Sequence, residues 1–554
     1  MKAALTPALS VRNLHVATTG TNPTEILKGI SFDVNPGEIV CLVGESGSGK
    51  SVTSLVAMDL LPKQEIRPTG GAVLLNGEDI LTATPARTKA LRGAEMAMVF
   101  QEPMTALNPV LRIGLQMEEV FLAHRKMTGP DRRQAVFEAF EAVQLPNPPR
   151  IYDSFPHQLS GGQRQRVMIA MALALKPRLL IADEPTTALD VTTQKQILTL
   201  IRQLQEENGT AVLFITHDMG VVVDIADRVC VMRNGEVMET GPVHELLAAP
   251  KTDYTRSLLA AIPSLTPPEP AGEERGDIVL EVSALSKEFR LGNPLARLIG
   301  KPDHVVKAVD EVSFCLRRGR TLGIVGESGS GKSTVARCVM RLEDPSSGAI
   351  LLDGHDISTV QGGALMRARK RLQMVFQDPN RSLNPRIPIL ESLSEGPMNY
   401  GEDRTSIHAR AAEVMEIVGL DPTGLLRYPH QFSGGQRQRI AIARALLMEP
   451  EIIVADEAVS ALDVSVQAQV LDLLDQIRRE RNLSMLFITH DLRVAAQICD
   501  EVMVMRNGRV VEMGPASEVL ANPKHPYTAA LIDAAPGRSW DFVAGQPVGI
   551  PVPS

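Results

Sequence analysis

The sequence predicts an α/β protein built as two similar halves, and three observations carry that expectation. The octapeptide GESGSGKS occurs twice, letter for letter, at residues 44–51 and 326–333. Further blocks return in the same order: LSGGQRQR (159–166) as FSGGQRQR (432–439), IADEPTTALDV (181–191) as VADEAVSALDV (454–464), and LFITHD (213–218) as LFITHD (486–491). Short apolar runs such as IVCLVG (39–44), LLIA (179–182) and AVLFIT (211–216) alternate with helix-like stretches. That is the pattern of buried strands in a mostly parallel sheet.

The repeated unit is roughly 260 residues long, too large for a solenoid module. We expect a first domain over 1–262, a linker over 263–276 and a second domain over 277–554 that ends in an extension. The linker is rich in Pro and charge, a composition that reads as a semi-rigid exposed connector. The ends of the halves also echo one another, APKTDYTRSLLAAIP (249–263) against ANPKHPYTAALIDAAP (521–536). Between the octapeptide and SGGQ, each half inserts a polar, helix-favouring stretch (102–158 and 378–431), read as a separate helical subdomain.

The bulk numbers exclude several function classes. Of 554 residues, 44% are hydrophobic and 22% charged, an ordinary globular balance. Aromatics are only 3%, with a single Trp540, so aliphatic side chains must fill the cores. A net charge of −8 gives no overall field attracting nucleic acid, and no nucleic-acid partner is expected. The five cysteines (Cys41, Cys230, Cys315, Cys338, Cys499) form no CxxC pair and read as small buried hydrophobes in a reducing compartment. Pro7 and Arg12 interrupt the first residues, so no signal peptide is expected. No apolar run reaches the ~18–20 residues of a membrane span. A soluble or peripheral cytoplasmic protein is the expectation.

GESGSGKS fits G-x-x-x-x-G-K-[ST] and follows a buried strand. Gly44, Gly47 and Gly49 let backbone N–H groups, with Ser46 in the same loop, curl around phosphate oxygens. Lys50 then reaches the β/γ-phosphates, and the Ser51 hydroxyl ligates Mg²⁺. Gly326, Ser328, Gly329, Gly331, Lys332 and Ser333 take the same roles in the second copy. LLIADE and IIVADE place paired carboxylates at a strand end. Asp183 and Asp456 suit a contact to Mg²⁺ through water, and Glu184 and Glu457 suit positioning and polarising an attacking water. SGGQ, with Ser160, Gly161, Gly162 and Gln163, and again Ser433, Gly434, Gly435 and Gln436, opens a helix whose N–H groups suit a second phosphate face.

Taken together, these blocks resemble the ATP-binding cassette (ABC) family, in order and over nearly the whole chain. The resemblance implies two tandem P-loop NTPase domains, each a RecA-like parallel-sheet core with an antiparallel β part and a helical subdomain. It implies Gln-loop residues Gln101 and Gln377, which sense Mg²⁺ where the ATP core meets the membrane partner. It also implies D-loops at 187–190 and 460–463 and switch histidines His217 and His490 that contact the γ-phosphate. ATP and Mg²⁺ are the implied cofactors, with Ser51, Gln101 and Asp183, or Ser333, Gln377 and Asp456, around the metal. In this family ATP lies between the Walker A loop of one domain and the signature of the other. Site one is then expected to combine Lys50, Ser51, Gln101, Asp183, Glu184 and His217 with 433–436. Site two combines Lys332, Ser333, Gln377, Asp456, Glu457 and His490 with 160–163.

Two departures stand out. Phe289 takes the place of the family's adenine-stacking aromatic in the second half, whereas the corresponding place in the first is about Thr18. Weaker nucleotide binding at site one is therefore expected. Ala458 stands where the first half has Pro185, which should soften the turn after Glu457, yet both sites are expected to hydrolyse ATP.

Three classes compete: an importer's energy-coupling subunit, a translation-associated cassette protein, and a DNA-repair or chromosome-organising ATPase. The short Pro-rich linker, the absence of zinc-type Cys clusters and the lack of long heptad arrays favour the importer. ESGSGKS, QEPMTALNP, FPHQLSGGQRQR, YPHQFSGGQRQR and the terminal KHPYT resemble the peptide/nickel uptake subfamily. That likeness implies two integral-membrane permease subunits, an extracytoplasmic substrate-binding protein, peripheral attachment at the cytoplasmic face of the inner membrane, and peptide as the leading cargo class. Only Cys499 occurs in the last two hundred residues, so the iron–sulfur cluster of some relatives is not expected.

Overall fold

A computed structural model describes residues 6–101, 106–186, 189–267, 276–291, 304–460, 462–542 and 544–548. The D-loop residues Thr187, Ala188 and Ala461 fall outside the described residues, as do 268–275 of the expected linker and 102–105 of the first Gln-loop.

The chain divides into two compact units, and each repeats one plan. In the first, a six-stranded sheet runs Glu236–Pro242, Arg228–Arg233, Ile39–Val43, Ala211–Ile215, Leu179–Asp183, Met96–Val99. All neighbours are parallel except the edge pair Glu236–Pro242 and Arg228–Arg233. Strands Ile39–Val43, Leu179–Asp183 and Ala211–Ile215 are buried at every residue, which explains why they read as unbroken apolar runs rather than alternating ones. A four-stranded antiparallel sheet (Glu25–Val34, Leu9–Thr18, Ile66–Leu75, Glu78–Asp79) packs on one face around an aliphatic core. Helices Ile113–His124, Gly129–Ala142 and Pro148–Asp153 form the inserted subdomain, closed by Phe140 and Val136 with no exposure.

The second unit has the same two sheets. Its parallel core runs Leu372–Val375, Ile452–Asp456, Ser484–Ile488, Thr321–Val325, Glu501–Arg506, with antiparallel Arg509–Pro515 at the edge. The antiparallel sheet is His304–Arg317, Ile278–Leu291, Ser347–Leu352, His355–Asp356. Helices Ile389–Asn399 and Arg404–Ile417 form its insertion. Scarce aromatics leave these cores to Leu, Ile, Val and Met, with Phe140, Phe214 and Phe487 the largest side chains fully enclosed. Cys41, Cys230, Cys338 and Cys499 are buried and free, and burial pushes the Cys230 thiol up to about 12.

The ends of the chain divide differently from the sequence expectation of 277–554. The second unit spans 263–535, and residues from 536 onward group with the first. Leu265 packs against the second unit's core and the Pro263 carbonyl accepts from Arg493 (3.1 Å), so the start of the expected linker is held. At the other end, the Gly537 N–H donates to Asp224 (3.0 Å) and the Trp540 ring stacks on His244 with centroids 5.4 Å apart. Trp540 is only 4% exposed. Covering a side chain this large is the physical reason for the tail's placement.

Candidate functional site

Both phosphate loops sit at the carboxyl end of a central parallel strand, where open α/β sheets bind ligands. Ile39–Val43 leads through the loop into helix Lys50–Ala57, and Thr321–Val325 into Lys332–Val339. Glycine is required where the loop leaves the strand. Gly44 and Gly326 have φ of 147° and 149°, and a Cβ there would strike the Met232 or Met505 carbonyl. Ser46, Gly47, Ser328 and Gly329 lie exposed on the outer curve. The buried Lys50 ammonium donates to the Gly44 and Glu45 carbonyls (2.7 and 2.9 Å), and Lys332 to those of Gly326 and Glu327 (2.7 and 2.8 Å). Each ammonium is thus fixed inside the curl of its loop.

The carboxylate pair follows from the strand two places along the sheet, and its two members have different partners. The Ser51 hydroxyl donates to Asp183 (3.3 Å), and Ser333 to Asp456 (2.9 Å). Burial raises both aspartic acids above the ordinary carboxylate range, against the hydroxyl's hydrogen bond, with the neighbouring glutamate adding repulsion. Hydroxyl and carboxylate oxygens are hard donors, and no group of three or more His, Cys, Asp or Glu that could hold a metal ion occurs among the described residues. That donor set fits Mg²⁺, which takes one or two protein oxygens and leaves the rest to phosphate and water.

Glu184 and Glu457 directly follow their strands at φ of 45° and 49°, a left-handed conformation rare for a side-chain-bearing residue. The turn is the same in both halves, so Ala458 in place of Pro185 leaves the backbone at Glu457 unaltered. Each glutamate is a hub. Glu184 accepts from the Gln101 amide (2.7 Å) and meets His217 Nδ1 (3.0 Å). Glu457 accepts from Gln377 (2.7 Å) and meets His490 Nδ1 (3.4 Å). Burial pushes Glu457 up, but the hydrogen bond and charge of His490 outweigh it and hold the carboxyl below its ordinary range. Burial likewise opposes charge on His490, and Glu457 reverses that and raises the ring. The pair's attraction is therefore lost as pH falls through the lowered glutamate value or rises through the raised histidine value. Gln101 and Gln377, expected beside the metal, direct their amides to these glutamates.

The signature segments are helix starts with reciprocal caps. Ser160 accepts from the Gln163 N–H (3.2 Å) while the Gln163 side chain accepts from the Ser160 N–H (3.0 Å), and Ser433 and Gln436 do the same. The two glycines differ. A Cβ on Gly162 would lie 2.6 Å from Thr193, and on Gly435 2.3 Å from Val466, so packing requires them. A Cβ on Gly161 would meet only Leu189 at 3.9 Å, and on Gly434 nothing. Neither fold packing nor a positive φ asks for glycine at 161 and 434.

The strand register places Thr18 and Phe289 at equivalent positions. Asn13 and Ala284 both have positive φ and donate to the Ser31 and Ser313 hydroxyls at 2.8 Å. Five residues on from each stand Thr18 and Phe289. The Lys287 ammonium lies 5.0 Å from the Phe289 ring centroid, whereas the Thr18 hydroxyl accepts from the Thr24 N–H (2.8 Å). One further asymmetry escaped sequence reasoning. Ser54 donates to Asp183 (3.4 Å), and Ala336 holds the equivalent place in the second half. Both are four residues after the loop lysine, a spacing that would have flagged the difference.

Residues 27–187 and 309–460 match the family described as ABC transporter. Residues 238–292 and 511–541 match the oligopeptide/dipeptide transporter C-terminal region. The chain is 47% identical over 96% of its length to the peptidoglycan transport ATP-binding protein YejF of Agrobacterium fabrum, covering 96% of that protein. It is 44% identical over 95% of its length to the glutathione import ATP-binding protein GsiA of Pectobacterium atrosepticum, covering 89% of that relative. The GsiA protein of Salmonella typhimurium gives the same identity and coverage.

Proposed function

The chain belongs to the ABC transporter family of ATPases, and from that premise we propose that ATP hydrolysis at its two phosphate loops drives import of peptides or glutathione-like cargo through a membrane permease. It is the energy-coupling ATPase of an importer; the translation and DNA-repair readings are not favoured by these relatives. We assign Lys50 and Lys332 to the β/γ-phosphates, and Ser51 with Asp183, and Ser333 with Asp456, to Mg²⁺. When bound, that ion neutralises charge on the phosphate oxygens. Glu184 and Glu457 orient water and accept its proton, each held in place by its glutamine and histidine.

One observation carries the coupling to a membrane partner. The residue before Gln101, Phe100, is 40% exposed and lines an apolar groove of about 380 Å³ with Leu60, Met98, Leu107 and Met168. The groove thus begins one residue from the amide that holds Glu184. In the second half, Leu342 and Phe376 are exposed at the equivalent places. No helix among the described residues is long and apolar enough to cross a membrane. Two integral-membrane permease subunits, one at the groove and one at Leu342 and Phe376, and an extracytoplasmic binding protein reached through them complete the proposed importer. The chain itself is peripheral, on the cytoplasmic face of the inner membrane. Leu60→Asp and Leu342→Asp are expected to remove the permease from affinity-purified membrane complexes while leaving ATP binding intact. Full co-purification with both charges present would defeat the groove assignment.

We further propose, from the family resemblance alone, that each loop works with the signature of the other half; packing does not require glycine at 161 and 434. Lys50→Ala combined with Gly434→Asp strikes one site, and its ATPase rate is expected to equal that of the stronger single variant. Lys50→Ala combined with Gly161→Asp strikes both sites and is expected to abolish turnover. The opposite pattern would place each signature with the loop of its own half.

A further inference from the structure

Each phosphate loop is held from outside the ATP core by a tyrosine. The Glu45 N–H, second in the loop, donates to the Tyr254 hydroxyl at 3.4 Å, and the Glu327 N–H donates to Tyr527 at 3.2 Å. These tyrosines lie far along the chain, on helices Asp253–Ala260 and Pro526–Ala534. Both rings are fixed on their other side. The Arg233 guanidinium lies 4.7 Å from the Tyr254 centroid, and Arg506 lies 4.7 Å from that of Tyr527. Arg233 and Arg506 follow Met232 and Met505, whose carbonyls crowd Gly44 and Gly326, so strand end, ring and loop form one packed unit.

The helices are anchored as well. Glu239 accepts from the Lys251 and Thr252 N–H groups (2.9 and 3.2 Å), and Glu512 from those of Lys524 and His525 (2.8 and 3.0 Å). Each carboxylate stands on the last strand of its core and fixes the turn that aims the tyrosine helix. Burial raises the Tyr527 phenol to about 12, so the hydroxyl stays neutral and its oxygen accepts from the loop. The helices differ otherwise, DYTRSLLA against PYTAALIDA, yet both copies bring the same atom to the same N–H.

We propose that Tyr254 and Tyr527 are positioning residues for nucleotide phosphate: each hydroxyl holds the second residue of its loop so that the following N–H groups stay aimed at the phosphates. The inference rests on the reading of the loops as ATP phosphate cradles. It also makes the C-terminal helix of each half a lever on the phosphate loop of that half, because moving the helix withdraws the hydroxyl.

The test uses the full chain with one site silenced: Tyr254→Phe in a Lys332→Ala background, and Tyr527→Phe in a Lys50→Ala background. Phenylalanine keeps the ring and its arginine and removes the hydroxyl. We expect the ATP Kd and KM to rise about two- to tenfold, the span of one hydrogen bond, with kcat nearly unchanged. Amide exchange of the loop peptide should quicken without nucleotide, while exchange of the central strands stays as in the parent. Unchanged ATP affinity and unchanged loop exchange in both Phe variants would overturn the proposal, as would a uniform rise in exchange across the unit. The Lys50→Ala, Lys332→Ala double variant separates the two readings. If it still binds ATP, the cradle assignment fails and this inference with it. If it loses ATP while the Phe variants bind normally, only the tyrosine role is refuted.

Discussion

Glu184→Gln and Glu457→Gln each lower hydrolysis at the site they serve by about 10²- to 10⁴-fold, the range for loss of a positioned general base, while ATP stays bound. The substitution keeps size and shape and removes the negative charge and with it the ability to take a proton. The amide introduced by Glu184→Gln retains an oxygen to accept from Gln101, so the contact of 2.7 Å survives. The left-handed turn at Glu184 and Glu457 is a backbone feature that glutamine also adopts, which makes misfolding a poor explanation of lost turnover. In the second half, His490 holds Glu457 below the ordinary carboxylate range, so the base is ionised at neutral pH and its contribution disappears only on acidification through that lowered value. Single-turnover hydrolysis with trapped nucleotide measures the effect. Hydrolysis within a few-fold of wild type in both variants would show that the glutamates serve only to anchor Gln101, Gln377 and the histidines.

Lys50→Ala leaves the loop of the half that carries Phe289 as the competent one, and Lys332→Ala leaves the loop of the half that carries Thr18. The first variant is expected to bind ATP about 5- to 150-fold more tightly than the second, because stacking an aromatic ring on a base is worth about 1–3 kcal/mol. The equivalent strand register of Thr18 and Phe289 makes the comparison direct, since both stand five residues after a positive-φ anchor. Thr18→Phe in the Lys332→Ala background should recover much of the difference, and Phe289→Ala in the Lys50→Ala background should erase it. Equal affinities in the two lysine variants, measured by titration with a fluorescent ATP analogue, would remove the asymmetry.

Much of this site was legible because its chemistry is local. A loop that must wrap phosphate needs its glycines, lysine and serine within eight residues, and a strand-end carboxylate pair needs an apolar run before it. These requirements act along the chain, and the repeat displays them twice. The helical insertion was legible in the same way, from composition between fixed motifs. Sequence reading does not reach partners that are brought together by sheet order. Gln101 was named for its place before the helical insertion, and the adjacency of Met96–Val99 and Leu179–Asp183 is what brings its amide to Glu184. Trp540 was read with the second half, yet its ring is buried against His244 of the first unit.

The sequence by itself determined the duplication, the strand–helix alternation, the two glycine-rich loops and the residues we propose for ATP, because each depends on spacing over a few residues. Only the tertiary structure decided which side chains hold those residues. It made Glu184 and Glu457 hubs, set Ser54 on Asp183 in one half alone, and brought Tyr254 to Glu45 and Tyr527 to Glu327. Contacts between residues so far apart in the chain follow from the order in which parallel strands are laid side by side, and no short-range pattern of residues encodes that order.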